Sequence, residues 1–299
     1  MTPIGPGEMR ARSRLGVVLV VAAVRLLGGF CLALPLSAPL AASGVGQTAQ
    51  GDRALFEGGG YLLLEVLRLQ GGDLIATARG LIPLLALGLA LTVVCNAALL
   101  VALNARGRLV LGTWLGRAFS RVPAFVVVGC GVGLAQLLLV TVGVSVSEAL
   151  PTPIDKPVLA STAQLALWLV VASLAGAVGG FSDVVKAALV RHDCPLAAGL
   201  RQASVCVRLR PLAACFGWLP FAVLFALSFG LGTWLTEALD VSRPGMWRVA
   251  AVFAIHQLVV VFSVFLRAAW FARALRLSAS PARSSSGQKV VPKFSQVAG

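Results

Sequence analysis

Six long apolar stretches alternate with shorter polar or charged connections along this 299-residue chain. Each stretch holds about 20 residues or more, which is the length that an α-helix needs to cross about 30 Å of hydrocarbon. The predicted spans lie near residues 15–42, 80–103, 122–146, 158–180, 212–236 and 247–270. The pattern predicts an all-α, polytopic membrane helix bundle with six transmembrane helices.

The chain divides into a membrane domain, residues 15–277, and two polar tails. Residues 1–14 form the N-terminal tail, and residues 278–299, rich in Ser, Pro, Arg and Lys, form a tail predicted to be disordered. The first apolar stretch has a rival interpretation as a signal peptide cleaved near Ala41-Ala42. Its length and the presence of Arg25 favour a retained first helix.

The segment 181–211 is amphipathic and rich in Arg, and it lies between the fourth and fifth spans. A first short helix is expected there over Val184–Arg191, capped by Ser182 or Asp183. Cys194-Pro195 should interrupt any helix there, because proline disfavours helical geometry in the preceding residue. Asp193 is then the expected N-cap of a second helix with Arg201 and Arg208 on its polar side. The apolar face of this helix is expected to hold Leu196, Leu200, Ala203 and Val207. We expect a basic amphipathic interfacial helix on the cytoplasmic side, either a topological anchor on anionic headgroups or a docking surface.

The distribution of charge predicts which side of the membrane each connection occupies. Of 25 Lys and Arg residues, 18 fall in the two tails, in 104–121, in 181–211 and in the end of the sixth span, whereas eight of 11 acidic residues fall in the opposite connections. Positive charge concentrates on the cytoplasmic side of membrane proteins. This asymmetry predicts a bacterial cytoplasmic membrane protein with both termini in the cytoplasm.

Composition supports the membrane class and argues against a nucleic-acid partner. Hydrophobic residues make up 58% of the chain and charged residues only 12%, more apolar surface than a water-soluble domain of this length can bury. The net charge of +14 resides in the connections, without the aromatic interleaving of nucleic-acid patches. The expected partners are the lipid bilayer, anionic headgroups and a membrane or cytoplasmic protein.

A few polar residues fall inside the predicted spans and are candidates for a functional site near the midplane. They are Arg25, Asn96, Gln136 and His256. Arg25 has no carboxylate at its depth inside any predicted span. Two interpretations stay open: its side chain reaches the inner headgroups, or it faces the bundle and meets an anionic ligand such as a lipid phosphate.

Two further patterns predict contacts between helices. Asp183 and Arg267 stand at the inner ends of the fourth and sixth spans and could form a structural ion pair. Small residues one turn apart allow two helix backbones to approach closely. Such spacing occurs at Gly129 and Gly133 in the third span and at Gly176 and Gly180 in the fourth, so these helices are expected to pack together.

No arrangement of residues typical of catalysis or metal binding is visible. The sequence has no phosphate-binding Walker loop, no HExxH motif and no nucleophile elbow. The six cysteines show no metal-ligand spacing. We therefore expect no catalytic residues, no metal site and no cofactor.

The layout resembles a group of bacterial six-span proteins that are similar to the membrane domain fused to some glycerophosphodiester phosphodiesterases. The residues that carry this resemblance are Gly179, Gly180, Phe181, Asp183, Lys186, Val190, Ala198, Arg208 and Pro211, together with FLRAAWFARAL, which contains Arg267 and Phe271. The phosphodiesterase half is absent from this sequence. The resemblance therefore implies a membrane location, and the enzymatic activity of the phosphodiesterase half does not carry over.

Taken together, these patterns predict a non-catalytic membrane scaffold or accessory subunit that acts through its basic cytoplasmic surface. The alternative is a transporter or permease for a small molecule or lipid, using the polar residues near the midplane. A cavity lined by those residues would favour transport, and a solid apolar interior would favour a scaffold.

Overall fold

The computed structural model describes residues 14–42, 61–105, 107, 109–150, 157–239 and 246–279, and over these residues the architecture is all-helical. The helices are α1 (Leu15–Ala42), α2 (Tyr61–Asn104), α3 (Leu111–Ala149), α4 (Pro157–His192), α5 (Leu196–Leu209), α6 (Pro211–Cys215), α7 (Leu219–Ala238) and α8 (Met246–Ala279). Most of the two predicted tails, residues 1–13 and 280–299, lies outside the described residues.

Five helical segments are long and apolar enough to cross a membrane: Ile82–Asn104, Leu111–Ala149, Ser161–His192, Pro211–Ala238 and Trp247–Ala279. In α1 the corresponding segment is shorter, Leu15–Cys31, so the sixth span stays a prediction. In the most apolar 18-residue stretch of α3, only 6% is buried inside the protein. Such extensive exposed apolar surface requires a lipid environment. The chain belongs to the class of multi-pass helical membrane proteins.

The helices are longer than the spans predicted from the sequence. Helix α4 continues through residues 181–192, where the sequence suggested a separate short helix. Nothing between Gly180 and Val184 breaks it, since the segment lacks proline. The break comes at Asp193, whose φ of 50° is left-handed, and at Cys194-Pro195. Helix α2 likewise begins at Tyr61, because Gly71-Gly72 costs a helix only about 1 kcal/mol per glycine.

The bundle is packed tightly at one end. The N-terminus of α1, the C-terminus of α2, the N-terminus of α3 and the C-termini of α4 and α8 meet there, with α5 and α6 beside them; we call this the basic end. Its core is formed by large side chains that are almost fully buried: Leu99, Leu100, Leu103, Phe125, Val184, Val185, Leu189, Trp270, Phe271 and Leu275. Toward the opposite end, α3, α4, α7 and α8 carry mostly exposed apolar side chains.

Hydrogen bonds tie the helix termini together at the basic end. Arg14 donates to the carbonyls of Ala105 and Gly107, joining the start of α1 to the end of α2. Asn104 donates to the carbonyl of Val190 over 3.1 Å and accepts from Arg191 over 3.1 Å. The bond to Val190 satisfies a carbonyl group that the last turn of α4 leaves unpaired. Together these bonds fix the relative positions of α1, α2 and α4.

Helix α5 packs on the bundle with most of its predicted apolar face: Ala203 is buried, and Leu196 and Val207 pack against the core. Gly199 and Cys206 are buried as well, whereas Leu200 of the predicted face is 40% exposed. A Cβ at Gly199 would lie 2.5 Å from Leu189 Cδ2, so glycine sets this close approach. The predicted cap is also wrong, because Pro195 occupies the N-cap and makes no side-chain cap bond. Arg201 and Arg208 are exposed, as expected for the opposite side.

Candidate functional site

A buried carboxylate joins α4 to α8 inside the packed part of the bundle. Asp183 on α4 is 3% exposed, and Arg267 on α8 donates to both of its oxygens over 2.8 Å. The indole N–H of Trp270 donates to Asp183 Oδ2, also over 2.8 Å. Paired N–H donors from one guanidinium form the strongest type of carboxylate contact. The structure thus brings together the two residues for which the sequence suggested an ion pair, and adds a third.

Lys186 places a second cation beside the same carboxylate. Its Nζ lies 3.7 Å from Asp183 Oδ1 and 3.4 Å from the hydroxyl of Ser182. The side chain is largely buried, with 13% exposure. Arg267 also stacks on Phe271, with its guanidinium carbon 4.4 Å from the ring centroid. Asp183, Lys186, Arg267 and Trp270 form what we call the charged cluster.

The charged cluster lies well inside the helices rather than at their ends. At about 1.5 Å rise per residue, Asp183 is about 14 Å from the end of α4 and Arg267 about 18 Å from the end of α8. Both positions fall within the segments that are apolar enough to cross a membrane. A charged side chain within hydrocarbon is costly unless it is paired or faces a cavity. The bidentate contact supplies that pairing for Asp183 and Arg267.

A cavity of about 420 Å³ opens beside the charged cluster, between α3 and α4. Gln136 lies in its wall and donates to the carbonyl of Ala175 over 3.0 Å. Gly129 and Gly133 also line this cavity, and a Cβ at either would meet nothing within 4 Å. Helices α3 and α4 do pack together, as predicted, but they do not approach closely at these two glycines, because the space in front of them is open.

The glycine pair on α4 accommodates a tryptophan instead of α3. Gly176 and Gly180 face Trp218, which precedes α7. A Cβ at Gly180 would lie 2.7 Å from Trp218 Cδ1 and 2.8 Å from the carbonyl oxygen of Cys215. The close approach predicted at these glycines exists, but with Trp218 and α6. The tight contact between α3 and α4 is made elsewhere, at Gly143 and Val171.

A second cavity, of about 300 Å³, lies on the other side of Arg267 and Trp218. Arg25 of α1 lines it and donates to Asn96 Oδ1 over 3.3 Å. Its Nε is buried and has no hydrogen-bond partner among the residues that the structure describes. Arg25 therefore faces the bundle. We call this space the Arg25 cavity; its remaining lining is Phe221, Ala222, Phe225, Ser263, Leu266 and Trp270.

The four polar residues predicted near the midplane do not form one site. Arg25 and Asn96 are in contact, whereas Gln136 belongs to the other cavity. His256 is exposed and its Nδ1 lies 2.9 Å from the carbonyl oxygen of Val252 in its own helix, outside both cavities. The sequence indicated the polar residues but not their grouping, which depends on the rotation of each helix.

Three residues at the charged cluster and the two cavities were not predicted as site residues: Lys186, Trp218 and Trp270. One signal was available. Asp183 and Lys186 are three residues apart, as are Arg267 and Trp270, and residues at this spacing share one helix face. Two such pairs at similar depth in neighbouring helices point to a single polar contact.

Within the described residues, no group of three or more His, Cys, Asp or Glu side chains could hold a metal ion. No family model, no curated protein and no solved structure matches this chain. The fold and the charged cluster thus define it as a multi-pass helical membrane protein with buried charges in the interior of its bundle.

Proposed function

We propose that the protein is a non-catalytic scaffold or accessory subunit of a bacterial cytoplasmic membrane, acting through a basic cytoplasmic surface. The observation that carries this proposal is the combination of rigidity and positive charge at the basic end. Arg117, Arg201, Arg208 and Arg210 are exposed there, and we call them the basic surface. Asp193 is the exposed carboxylate among the described residues of this end, and it is paired with Arg121.

The rigidity comes from the packing beneath the basic surface. Arg121 donates to the carbonyl of Cys194, and His192 Nε2 lies 3.1 Å from the carbonyl oxygen of Ser278. The thiol of Cys206 in α5 contacts the carbonyl of Leu277 over 3.6 Å. A surface held on several helices loses little conformational entropy when a partner binds. Exposed arginines on such a base suit an acidic partner surface.

The charged cluster argues for a structural rather than a catalytic role of its carboxylate. Both oxygens of Asp183 accept strong hydrogen bonds, so neither is free to take a proton from a substrate. General acid–base catalysis needs a side chain within reach of the transferred proton. The cluster instead joins α4 to α8 and thereby supports the packed end of the bundle.

A lipid or small-molecule permease is the second candidate function, and the Arg25 cavity favours it. Arg25 faces the bundle, and cavities lie on both sides of Arg267. A permease requires a polar site that is reachable at mid-depth. If the protein is a permease, Arg25→Gln should abolish substrate flux in reconstituted vesicles without changing membrane insertion; unchanged flux would exclude this role for Arg25.

The scaffold proposal is tested by affinity purification in mild detergent. We expect Arg201→Gln with Arg208→Gln to reduce the recovery of a co-purifying protein, because both arginines are exposed on α5. The matched control is Arg248→Gln, an arginine near the opposite end of α8. Binding to liposomes with and without anionic lipid is measured in parallel. If the partner is recovered equally from all variants, the basic surface does not bind it.

A further inference from the structure

We propose that the Arg25 cavity binds the phosphate group of an anionic phospholipid, with Arg25 as the principal contact. The guanidinium lines the cavity and donates to a neutral amide, that of Asn96, while Nε finds no partner within the described part of the chain. A buried charged donor left unpaired is costly. An anionic oxygen in the cavity would satisfy it.

The local balance of charge supports an anionic ligand. The residues lining the two cavities include the cations Arg25, Lys186 and Arg267, but Asp183 is the carboxylate among them. The carboxylate is already held by Arg267 through two hydrogen bonds. The described residues that line the two cavities therefore carry formally two more positive than negative charges. A phosphate group is one of the anions that a guanidinium binds in a bidentate manner.

The depth and position of Arg25 favour a ligand that approaches from the membrane. Arg25 is about 15 Å from the start of α1, close to the level of the charged cluster. The cavity lies on α8, between α1 and α7. Nearby exposed side chains, Leu27 and Phe30 of α1 and Phe225 of α7, are apolar. A lipid can enter such a site laterally, whereas a free aqueous anion would have to cross apolar surface.

The lining of the cavity suits a lipid better than inorganic phosphate. Beyond Arg25 and Arg267 it consists mostly of aromatic and aliphatic side chains, among them Phe221, Phe225 and Leu266. Inorganic phosphate could pair with Arg25, but it would leave the apolar wall of the cavity uncovered. A phospholipid places its phosphate at the arginines and an acyl chain along the apolar wall, so both parts of the cavity are used.

This site is separate from the basic surface, and its test does not depend on the scaffold proposal. The full-length protein in uncharged detergent is titrated with phosphatidylglycerol or phosphatidylcholine carrying brominated acyl chains. Bromine quenches tryptophan fluorescence on contact, and Trp218 and Trp270 line the cavity. We expect saturable quenching by phosphatidylglycerol, and loss of part of that quenching in Trp218→Phe.

Variants of Arg25 test whether the quenching reports lipid binding at this residue. Arg25→Gln should weaken phosphatidylglycerol binding about tenfold or more, the effect of losing a charged hydrogen bond, whereas Arg25→Lys should retain part of it. Arg201→Gln with Arg208→Gln should leave quenching unchanged. Equal binding of both lipids, or equal binding by Arg25→Gln and the native protein, would overturn the proposal. Displacement by millimolar inorganic phosphate would show that the site takes the free ion, which contradicts a lipid site.

Discussion

Trp270 donates its indole N–H to the same oxygen of Asp183 that accepts from Arg267 Nη1, and both bonds are 2.8 Å long. Trp270 is 2% exposed, so this hydrogen bond lies inside the protein core. The carboxylate is held by a charged and a neutral donor from successive turns of α8. It therefore fixes the rotation of α8 relative to α4 as well as the distance between them.

Replacing Asp183 should destabilise the protein strongly. Asp183→Asn leaves Arg267 and Lys186 without their carboxylate, and uncompensated buried charges cost about 3–5 kcal/mol of unfolding free energy. The measurement is denaturant or thermal unfolding in detergent. The matched control is Asp193→Asn, whose carboxylate is 81% exposed and should contribute at most about 1 kcal/mol. Similar losses for both variants would show that the cluster is not a stabilising contact.

The two glycine pairs should respond in opposite ways to a methyl group. Gly180→Ala places its Cβ against Trp218 and the carbonyl of Cys215, so we expect a loss of about 1–3 kcal/mol in unfolding free energy. Gly133→Ala meets open space and should be neutral, or stabilising by up to about 1 kcal/mol through better helix propensity.

Unfolding of the two alanine variants under identical detergent conditions gives this comparison directly. Destabilisation by Gly133→Ala equal to that of Gly180→Ala would mean that α3 contacts another helix at Gly133. In that case the cavity beside Gln136 would be closed in the membrane-embedded protein.

The cysteines of the basic end provide a prediction about pH. Burial raises the pKa of the Cys206 thiol, and only the thiolate reacts with maleimide. In a variant that retains Cys206 alone, labelling should be slow at neutral pH and should rise at a higher pH than for an ordinary thiol. A variant that retains only the less buried Cys194 is the control.

The difference between the two thiols should disappear in denaturant, because unfolding removes the burial. Equal labelling rates in the folded protein at every pH would show that α5 is not docked on the bundle through Cys206. Such a result would also remove the rigid base on which the basic surface rests.

The sequence predicted the membrane class, five of the spans and the ion pair between Asp183 and Arg267. These features follow from hydropathy and charge, which are local properties of the sequence. Helix ends were less predictable, since α4 continues past Gly180 without any local signal for a break. Gly129 and Gly133 would allow a close helix contact only if they faced a neighbouring helix, and they face open space. The glycines of α4 contact Trp218 instead of α3. Those features are set by helix rotation, which local pattern does not determine.

The proposed function requires the basic surface to face the cytoplasm. In a cysteine-free background, a single cysteine at Arg201 is exposed to a membrane-impermeant maleimide in intact spheroplasts and in inside-out vesicles. We predict labelling of Arg201→Cys only in the inside-out vesicles, and the reverse for a cysteine at the exposed Leu235 near the opposite end of α7. Labelling of Arg201→Cys in intact spheroplasts would contradict the proposed orientation and, with it, a cytoplasmic docking surface.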